Sequence, residues 1–122
     1  MSSKKPYILV AEDEEINQMI FCDQLEKDYE INVVSNGKEC LASIKDRMPD
    51  LLLLDINMPV MSGFDVLLEL HDGQDYKNLP IIFVTATAVK EIIDLPKDLS
   101  ASAFLTKPYK KEELLSIIKD FI

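Results

Sequence analysis

Residues 51–59 read LLLLDINMP, a run of four leucines that ends on the carboxylate of Asp55. An unbroken aliphatic run that is bounded by a turn signal such as Pro59 is typical of a strand buried on both faces, as in the centre of a parallel sheet. Asp55 then lies at the carboxyl end of that strand, where open α/β sheets carry their chemistry. A lone aspartate at such a position more often begins a loop or caps a helix. Its role can therefore be inferred only from the residues at the ends of the other strands.

Strands and helices alternate along the whole sequence. Short apolar runs predict five strands, at 7–11, 30–35, 51–54, 81–84 and 103–106. Apolar residues at helical spacing predict a helix after each strand, and the first helix is indicated by Ile16, Met19, Ile20 and Leu25. The last helix, after Pro108, has a predicted core stripe of Leu114, Ile117, Ile118 and Phe121. Such alternation predicts an α/β fold with a parallel sheet and helices on both of its faces.

Composition excludes several classes of function. The 122 residues suffice for one domain, 1–122, of which we expect residues 1–6 to be a flexible tail. A net charge of −9 disfavours binding to nucleic acid or to anionic membranes. Cys22 and Cys40 have no partner at metal-ligand spacing. Because neither a signal peptide nor a membrane-length apolar run is present, we expect a cytoplasmic protein.

Polar residues follow four of the five predicted strands. Because the carboxyl ends of neighbouring parallel strands meet at one edge, we expect five residues to gather there: Glu12, Asp13, Asp55, Thr85 and Lys107. Three carboxylates in one pocket repel each other unless a cation intervenes. Oxygen ligands alone favour Mg²⁺, which retains several waters and takes one or two carboxylates together with a phosphoryl oxygen. Lys107 and Thr85 then supply a positive charge and a hydroxyl donor.

The chain resembles the receiver domain of two-component response regulators from Tyr7 to Phe121. The matching pieces are Glu12-Asp13, the stretch 54–59 around Asp55, Gly63, Thr85-Ala86, and Lys107-Pro108 preceded by Phe104. Residues 12–18 are similar to receivers of hybrid histidine kinases, and the whole chain is also similar to the single-domain chemotaxis regulator. The resemblance implies a flavodoxin-like, doubly wound, five-stranded parallel sheet of order 2-1-3-4-5. It implies five helices, of which the fourth, at 86–94, is short or irregular because Pro96 interrupts it.

The resemblance also implies roles for the gathered residues. Asp55 would accept a phosphoryl group from a histidine kinase or a histidine phosphotransfer protein, in a phosphorelay. Asp13 and Asp55 would bind Mg²⁺ directly with the backbone carbonyl of Asn57, and Glu12 would bind it through a water. Lys107 would pair with Asp55 or with its phosphoryl group. The domain would phosphorylate and dephosphorylate itself in Mg²⁺-dependent reactions without being an enzyme that acts on a separate substrate.

Two further residues would form the conformational switch of such a domain. Thr85 would turn toward the phosphoryl oxygen, and Phe104 would move inward behind it. The output would be a homodimer or an effector complex that uses the face of the fourth helix, fifth strand and fifth helix. Pro96 and Ser100 depart from the family pattern on that face.

Three other functions fit these residues less well. A phosphatase of the haloacid dehalogenase class needs a second aspartate two residues after the nucleophile, where this chain has Asn57, and it usually has a substrate cap. A flavodoxin-like cofactor binder needs a phosphate loop after the first strand, where residues 12–15 are all acidic. A receiver-like interaction module that takes no phosphate would not need the acceptor residues, and all of them are present.

Overall fold

A five-stranded parallel sheet forms the centre of the computed structural model, which describes residues 5–56, 58–72, 78–85 and 103–122. Its order is β2-β1-β3-β4-β5, and every neighbouring pair is parallel, so the predicted topology is confirmed. The strands are β1 (Tyr7–Ala11), β2 (Glu30–Val34), β3 (Leu51–Leu54), β4 (Ile81–Thr85) and β5 (Ala103–Thr106).

Four helices lie within the described ranges. They are α1 (Glu15–Leu25), α2 (Gly37–Asp46), α3 (Gly63–Asp72) and the C-terminal helix α4 (Lys111–Lys119). The helix predicted over 86–94, Pro96 and Ser100 fall outside the described residues, so the predicted count of five helices is not tested. No helix in the described ranges is long and apolar enough to cross a membrane.

The leucine run of β3 is buried on both faces, as the sequence predicted. Leu52 and Leu54 belong to the core on one face of the sheet, where α2 and α3 pack. Leu51 and Leu53 belong to the core on the other face, which includes residues of α1 and α4. Successive side chains of a strand point to opposite faces, so a strand with helices on both sides requires an apolar residue at every position.

Helix α1 is present as predicted, but of the side chains that indicated it only Leu25 is buried. Ile16, Met19 and Ile20 are 72%, 71% and 42% exposed, whereas Phe21 and Leu25 are buried. An apolar stripe at positions i, i+3 and i+4 fixes the helical period and not the direction that the stripe faces. Helix α1 therefore carries a row of apolar side chains on its outer surface.

The core stripe predicted for the last helix is correct in part. Leu114 and Ile118 are buried in α4 and Ile117 is half-buried, but Phe121 is 38% exposed. The helix ends at Lys119, so Phe121 lies beyond the helical register that the stripe assumed. The prediction that Phe121 is a core residue is wrong.

Gly63 fixes the loop that follows β3. Its N–H donates to the carbonyl of Ile56 at 2.9 Å. A Cβ atom at Gly63 would lie 2.4 Å from the carbonyl oxygen of Asp55, closer than side-chain carbons approach. Only glycine therefore allows the start of α3 to lie against the backbone that carries Asp55.

Candidate functional site

The carboxyl ends of β1, β3 and β5 bring three charged residues of the predicted set together. Glu12 follows β1, Asp55 follows β3 and Lys107 follows β5. Two backbone hydrogen bonds of 3.0 Å extend the strand pairing into this edge, from the N–H of Glu12 to the carbonyl of Val34 and from the N–H of Asp55 to the carbonyl of Ala11. Rigid main chain therefore positions both carboxylates.

The predicted acidic cluster is present. Glu12, Asp13 and Asp55 each offer a carboxylate oxygen, and these three oxygens lie within 4.8 Å of one another. Glu12 is 1% exposed and Asp55 8% exposed, whereas Asp13 lies on the surface. Buried carboxylates require compensation, because burial and like charges both disfavour the ionised form.

Lys107 supplies part of that compensation. Its Nζ lies 2.6 Å from Oε1 of Glu12 and 3.4 Å from Oδ2 of Asp55. Burial alone would lower the pKa of Lys107, but the hydrogen bond to Glu12 and the charges of Asp55 and Glu12 outweigh it and raise this pKa above its ordinary value. Lys107 is therefore positively charged at neutral pH, and it is closer to Glu12 than to Asp55.

The donor set fits a hard divalent cation. It consists of oxygens only, which is the chemistry that Mg²⁺ prefers over softer metals. Ligands of one Mg²⁺ lie about 2.1 Å from the ion, so opposite ligands are about 4.2 Å apart, which is within the 4.8 Å limit that contains the three carboxylate oxygens. The predicted third ligand, the carbonyl of Asn57, lies outside the described residues.

Comparison with known proteins decides the family. The sequence model of the response regulator receiver domain matches residues 8–119. The chain belongs to this family. It is thus a receiver domain of two-component signalling, as the resemblance implied, and receivers are signalling domains and not conventional enzymes.

Relatives of this receiver support the same family. It is 32% identical over 116 residues to the polar-differentiation response regulator DivK of Brucella anthropi, a match that covers 94% of each chain. Its fold is similar to that of the receiver domain of a sensor histidine kinase from Pseudomonas aeruginosa, solved with a magnesium ion coordinated in its active-site cleft. That match has a TM-score of 0.87 and 26% identity, and covers 96% of this chain and 97% of the other. A chemotaxis protein of Vibrio cholerae gives a TM-score of 0.88 at 27% identity, with 97% and 99% covered.

The two predicted switch residues of this receiver lie on its last two strands. Thr85 is the final residue of β4 and is paired with Thr106 of β5, while its side chain lies outside the described residues. Phe104 pairs with Phe83 across the same two strands, and their rings stack with centroids 5.9 Å apart. Phe104 is 41% exposed, so it faces outward. The predicted contact of Thr85 with the phosphoryl site therefore falls on a side chain outside the described residues.

Gln18 is a site residue that the sequence interpretation missed. Its amide Nε2 donates to the main-chain carbonyl of Glu12 at 2.5 Å and to Oγ of Ser35 at 3.2 Å. It thus joins the loop after β1 to the loop after β2. Gln18 belongs to the stretch 12–18 that carried the family resemblance, but nothing in the sequence indicated that its side chain turns back toward Glu12.

Tyr109 is the second residue that was missed. Its ring stacks on Phe21 of α1 with centroids 6.0 Å apart, and its hydroxyl donates to Oε1 of Gln24 at 3.2 Å. Burial and, secondarily, the charge of Glu12 raise the pKa of Tyr109 to about 12. These contacts of Tyr109 hold the segment that carries Lys107 against α1.

Proposed function

We propose that Asp55 accepts a phosphoryl group from a phosphohistidine of a histidine kinase or histidine phosphotransfer protein. The observation that carries the proposal is the position of Asp55, a carboxylate at the end of the central strand with the Lys107 ammonium 3.4 Å away. A carboxylate oxygen of Asp55 forms a bond to phosphorus while the phosphorus–nitrogen bond of the phosphohistidine breaks. The electron pair of that bond stays on the nitrogen, and because the other ring nitrogen carries a proton, a neutral imidazole is left on the partner.

The residues around Asp55 supply binding and charge. Mg²⁺, when bound, would neutralise the charge on the phosphoryl oxygens. Asp13 and Asp55 would hold it. The Lys107 ammonium stabilises the negative charge that develops on the transferring group, because a fixed cation in a partly buried site needs no reorganisation during the reaction. The same constellation supports hydrolysis of the aspartyl phosphate, which resets the receiver.

Phosphorylation is proposed to act on Thr85 and Phe104. Attraction of Thr85 to the phosphoryl oxygen would vacate space at the end of β4, and the outward Phe104, stacked on Phe83, would move into it. The edge strand β5 and helix α4 would transmit this change to a second copy or an effector.

The phosphodonor is proposed to dock on α1. Ile16, Met19 and Ile20 form an exposed apolar row, which typically marks a protein-binding surface. The row adjoins a cleft of about 370 Å³ that Ile20 shares with Lys107 and Tyr109. A donor seated on this row, with an apolar centre, would bring its phosphohistidine to the edge that carries Asp55.

Intact-mass analysis after incubation with acetyl phosphate tests the acceptor. The parent protein should gain one phosphoryl group, and the gain should require Mg²⁺. Asp55→Asn should abolish it while the fold is retained, because an amide is a far poorer nucleophile than a carboxylate. Asp28→Asn, at an exposed carboxylate in the turn after α1, is the matched control and should behave like the parent. An acid-labile gain by Asp55→Asn at the parental rate would contradict the proposal.

A charge placed on the apolar row tests the docking surface. Met19→Glu should slow phosphoryl transfer from a phosphorylated histidine phosphotransfer protein by roughly tenfold or more, since a buried interface charge is costly. Phosphorylation by acetyl phosphate should be unchanged, because a small donor needs no docking. Leu68→Glu, at a 46% exposed leucine on α3, is the control for an added charge. Equal slowing by both variants would exclude α1 as a specific surface.

A further inference from the structure

Glu12 makes more contacts than a ligand that acts only through water requires. Its Oε1 accepts from Lys107 at 2.6 Å, and its Oε2 accepts from the N–H of Glu14 at 3.2 Å. Its main-chain carbonyl accepts from Gln18, and its main-chain N–H donates to the carbonyl of Val34. Each of its polar groups therefore has a partner inside the protein.

The longest of these connections is the one to Lys107, 95 residues away in the sequence. The Lys107 ammonium is 2.6 Å from Glu12 but 3.4 Å from the proposed acceptor, Asp55. With Glu12 only 1% exposed, an unpaired carboxylate there would be strongly disfavoured. Glu12 and Lys107 therefore hold each other in place before any phosphoryl group arrives.

We infer that Glu12 is a positioning residue, which holds the Lys107 ammonium beside Asp55, and that its part in metal binding is minor. The inference rests on the proposed function, because it gives Glu12 a role in phosphoryl transfer to Asp55. The backbone anchors of Glu12 matter for this role. The hydrogen bonds of the Glu12 main chain fix one end of the ion pair to β1 and β2. Lys107 follows the edge strand β5, so the ion pair lets these two strands hold its ammonium in position.

A charge-neutral variant separates positioning from metal binding. In Mg²⁺ titrations of phosphorylation by acetyl phosphate, Glu12→Gln should lower the rate at saturating Mg²⁺ by roughly tenfold and change the half-saturating Mg²⁺ concentration by less than about threefold. Asp13→Asn should do the opposite, raising the half-saturating concentration by roughly tenfold or more. If Glu12→Gln behaves like Asp13→Asn, Glu12 is a metal ligand and the inference fails.

A conservative variant tests whether the charge or only the shape of Glu12 matters. Glu12→Asp retains the charge but shortens the side chain by about 1.5 Å, whereas Glu12→Gln retains the length and loses the charge. Attraction to Lys107 requires the charge, so Glu12→Asp should recover part of the rate at saturating Mg²⁺ that Glu12→Gln loses. A merely structural role predicts the reverse order, because Gln preserves the packing.

Metal-free unfolding tests the ion pair without any phosphorylation. A double-mutant cycle of Glu12→Gln with Lys107→Met, measured by urea unfolding in excess chelator, should show non-additivity of roughly tenfold or more in the unfolding equilibrium constant. The cycle of Asp55→Asn with Lys107→Met should show less, because that pair is 0.8 Å longer. Stronger coupling to Asp55 than to Glu12 would overturn the inference. A parent protein that takes no phosphoryl group would instead refute the proposed function, and this cycle would still report on the pair.

Discussion

Two ion-pair clusters lie at opposite ends of the sheet, and they differ in burial. At the carboxyl ends of the strands, Lys107 pairs with Glu12 and Asp55, and the Lys107 and Glu12 side chains are 19% and 1% exposed. At the amino ends, Arg47 makes a bidentate pair with Glu30, and these side chains are 51% and 48% exposed. We call these the carboxyl-end cluster and the amino-end cluster.

The difference in burial indicates which of the two clusters is the better candidate for a functional site. When an exposed ion pair forms, the charges lose about as much solvation free energy as they gain from contact, so the pair adds little to stability. The amino-end cluster is therefore typical surface structure. Burial of a charged group typically costs several kcal/mol of solvation free energy per ion, and pairing with an opposite charge offsets this cost only in part. Two buried carboxylates, a third at the surface and one ammonium at the same edge are therefore an unfavourable arrangement for stability alone, and such sites commonly carry function.

The largest expected effect on stability is that of removing the central cation of the carboxyl-end cluster. Lys107→Met keeps a similar side-chain length but leaves Glu12 buried without its ammonium partner. We expect the metal-free protein to lose about 3 kcal/mol of unfolding free energy, as is usual when one member of a buried pair is removed. Urea unfolding measures this loss, with the exposed Lys111→Met in α4 as control. A loss no larger than that of the control would show that Glu12 is not dependent on Lys107.

A smaller effect is expected from alkaline titration of the same end of the molecule. The pKa of Tyr109 is raised to about 12, above the value of about 10 for an unfolded tyrosine. Because the folded protein holds this proton more tightly, the associated stability is present below pH 10 and is lost as the pH rises toward 12. Lys107, whose pKa is also raised, adds a loss of the same sign.

Substitution of Tyr109 checks the alkaline effect. Tyr109→Phe removes the ionisable hydroxyl and its hydrogen bond to Gln24 but keeps the ring that stacks on Phe21. We therefore expect its unfolding free energy to fall less steeply than that of the parent between about pH 10 and pH 12. Identical slopes for the two proteins would place the alkaline sensitivity elsewhere in the chain.

The sequence predicted the framework of the carboxyl-end cluster for a definite reason. An all-leucine strand such as β3 has two buried faces, so it is central, and the residue after it lies at the functional edge. The strand order and the residue roles came from the family resemblance. The preference of Lys107 for Glu12 over Asp55 could not be predicted, because it depends on side-chain reach and on differences of less than 1 Å.

The outward face of α1 was equally beyond prediction. A buried stripe and a partner-binding stripe have the same spacing, and only the packed structure shows that Ile16 and Met19 are exposed while Phe21 and Leu25 are buried. The contacts of Gln18 and Tyr109 share this limitation. Tyr109 contacts a helix that is distant in sequence, and the Gln18 side chain turns back to the loop before its own helix. Both contacts are made by residue types that occur on any helix or loop.

The smallest expected effect is that of the matched substitution at the amino-end cluster. Arg47→Met removes the bidentate pair with Glu30, but its aliphatic chain still covers the ring of Tyr7, over which the guanidinium now lies at 4.2 Å. Because the pair is exposed and screened by salt, we expect only a small fraction of the loss caused by Lys107→Met, and the loss should diminish further as salt is added. Urea unfolding of both variants at low and high salt makes the comparison directly. If Arg47→Met lowers the unfolding free energy as much as Lys107→Met does, and the loss persists in high salt, then burial does not distinguish the two clusters energetically. The carboxyl-end cluster could then not be inferred to be a site from its energetics.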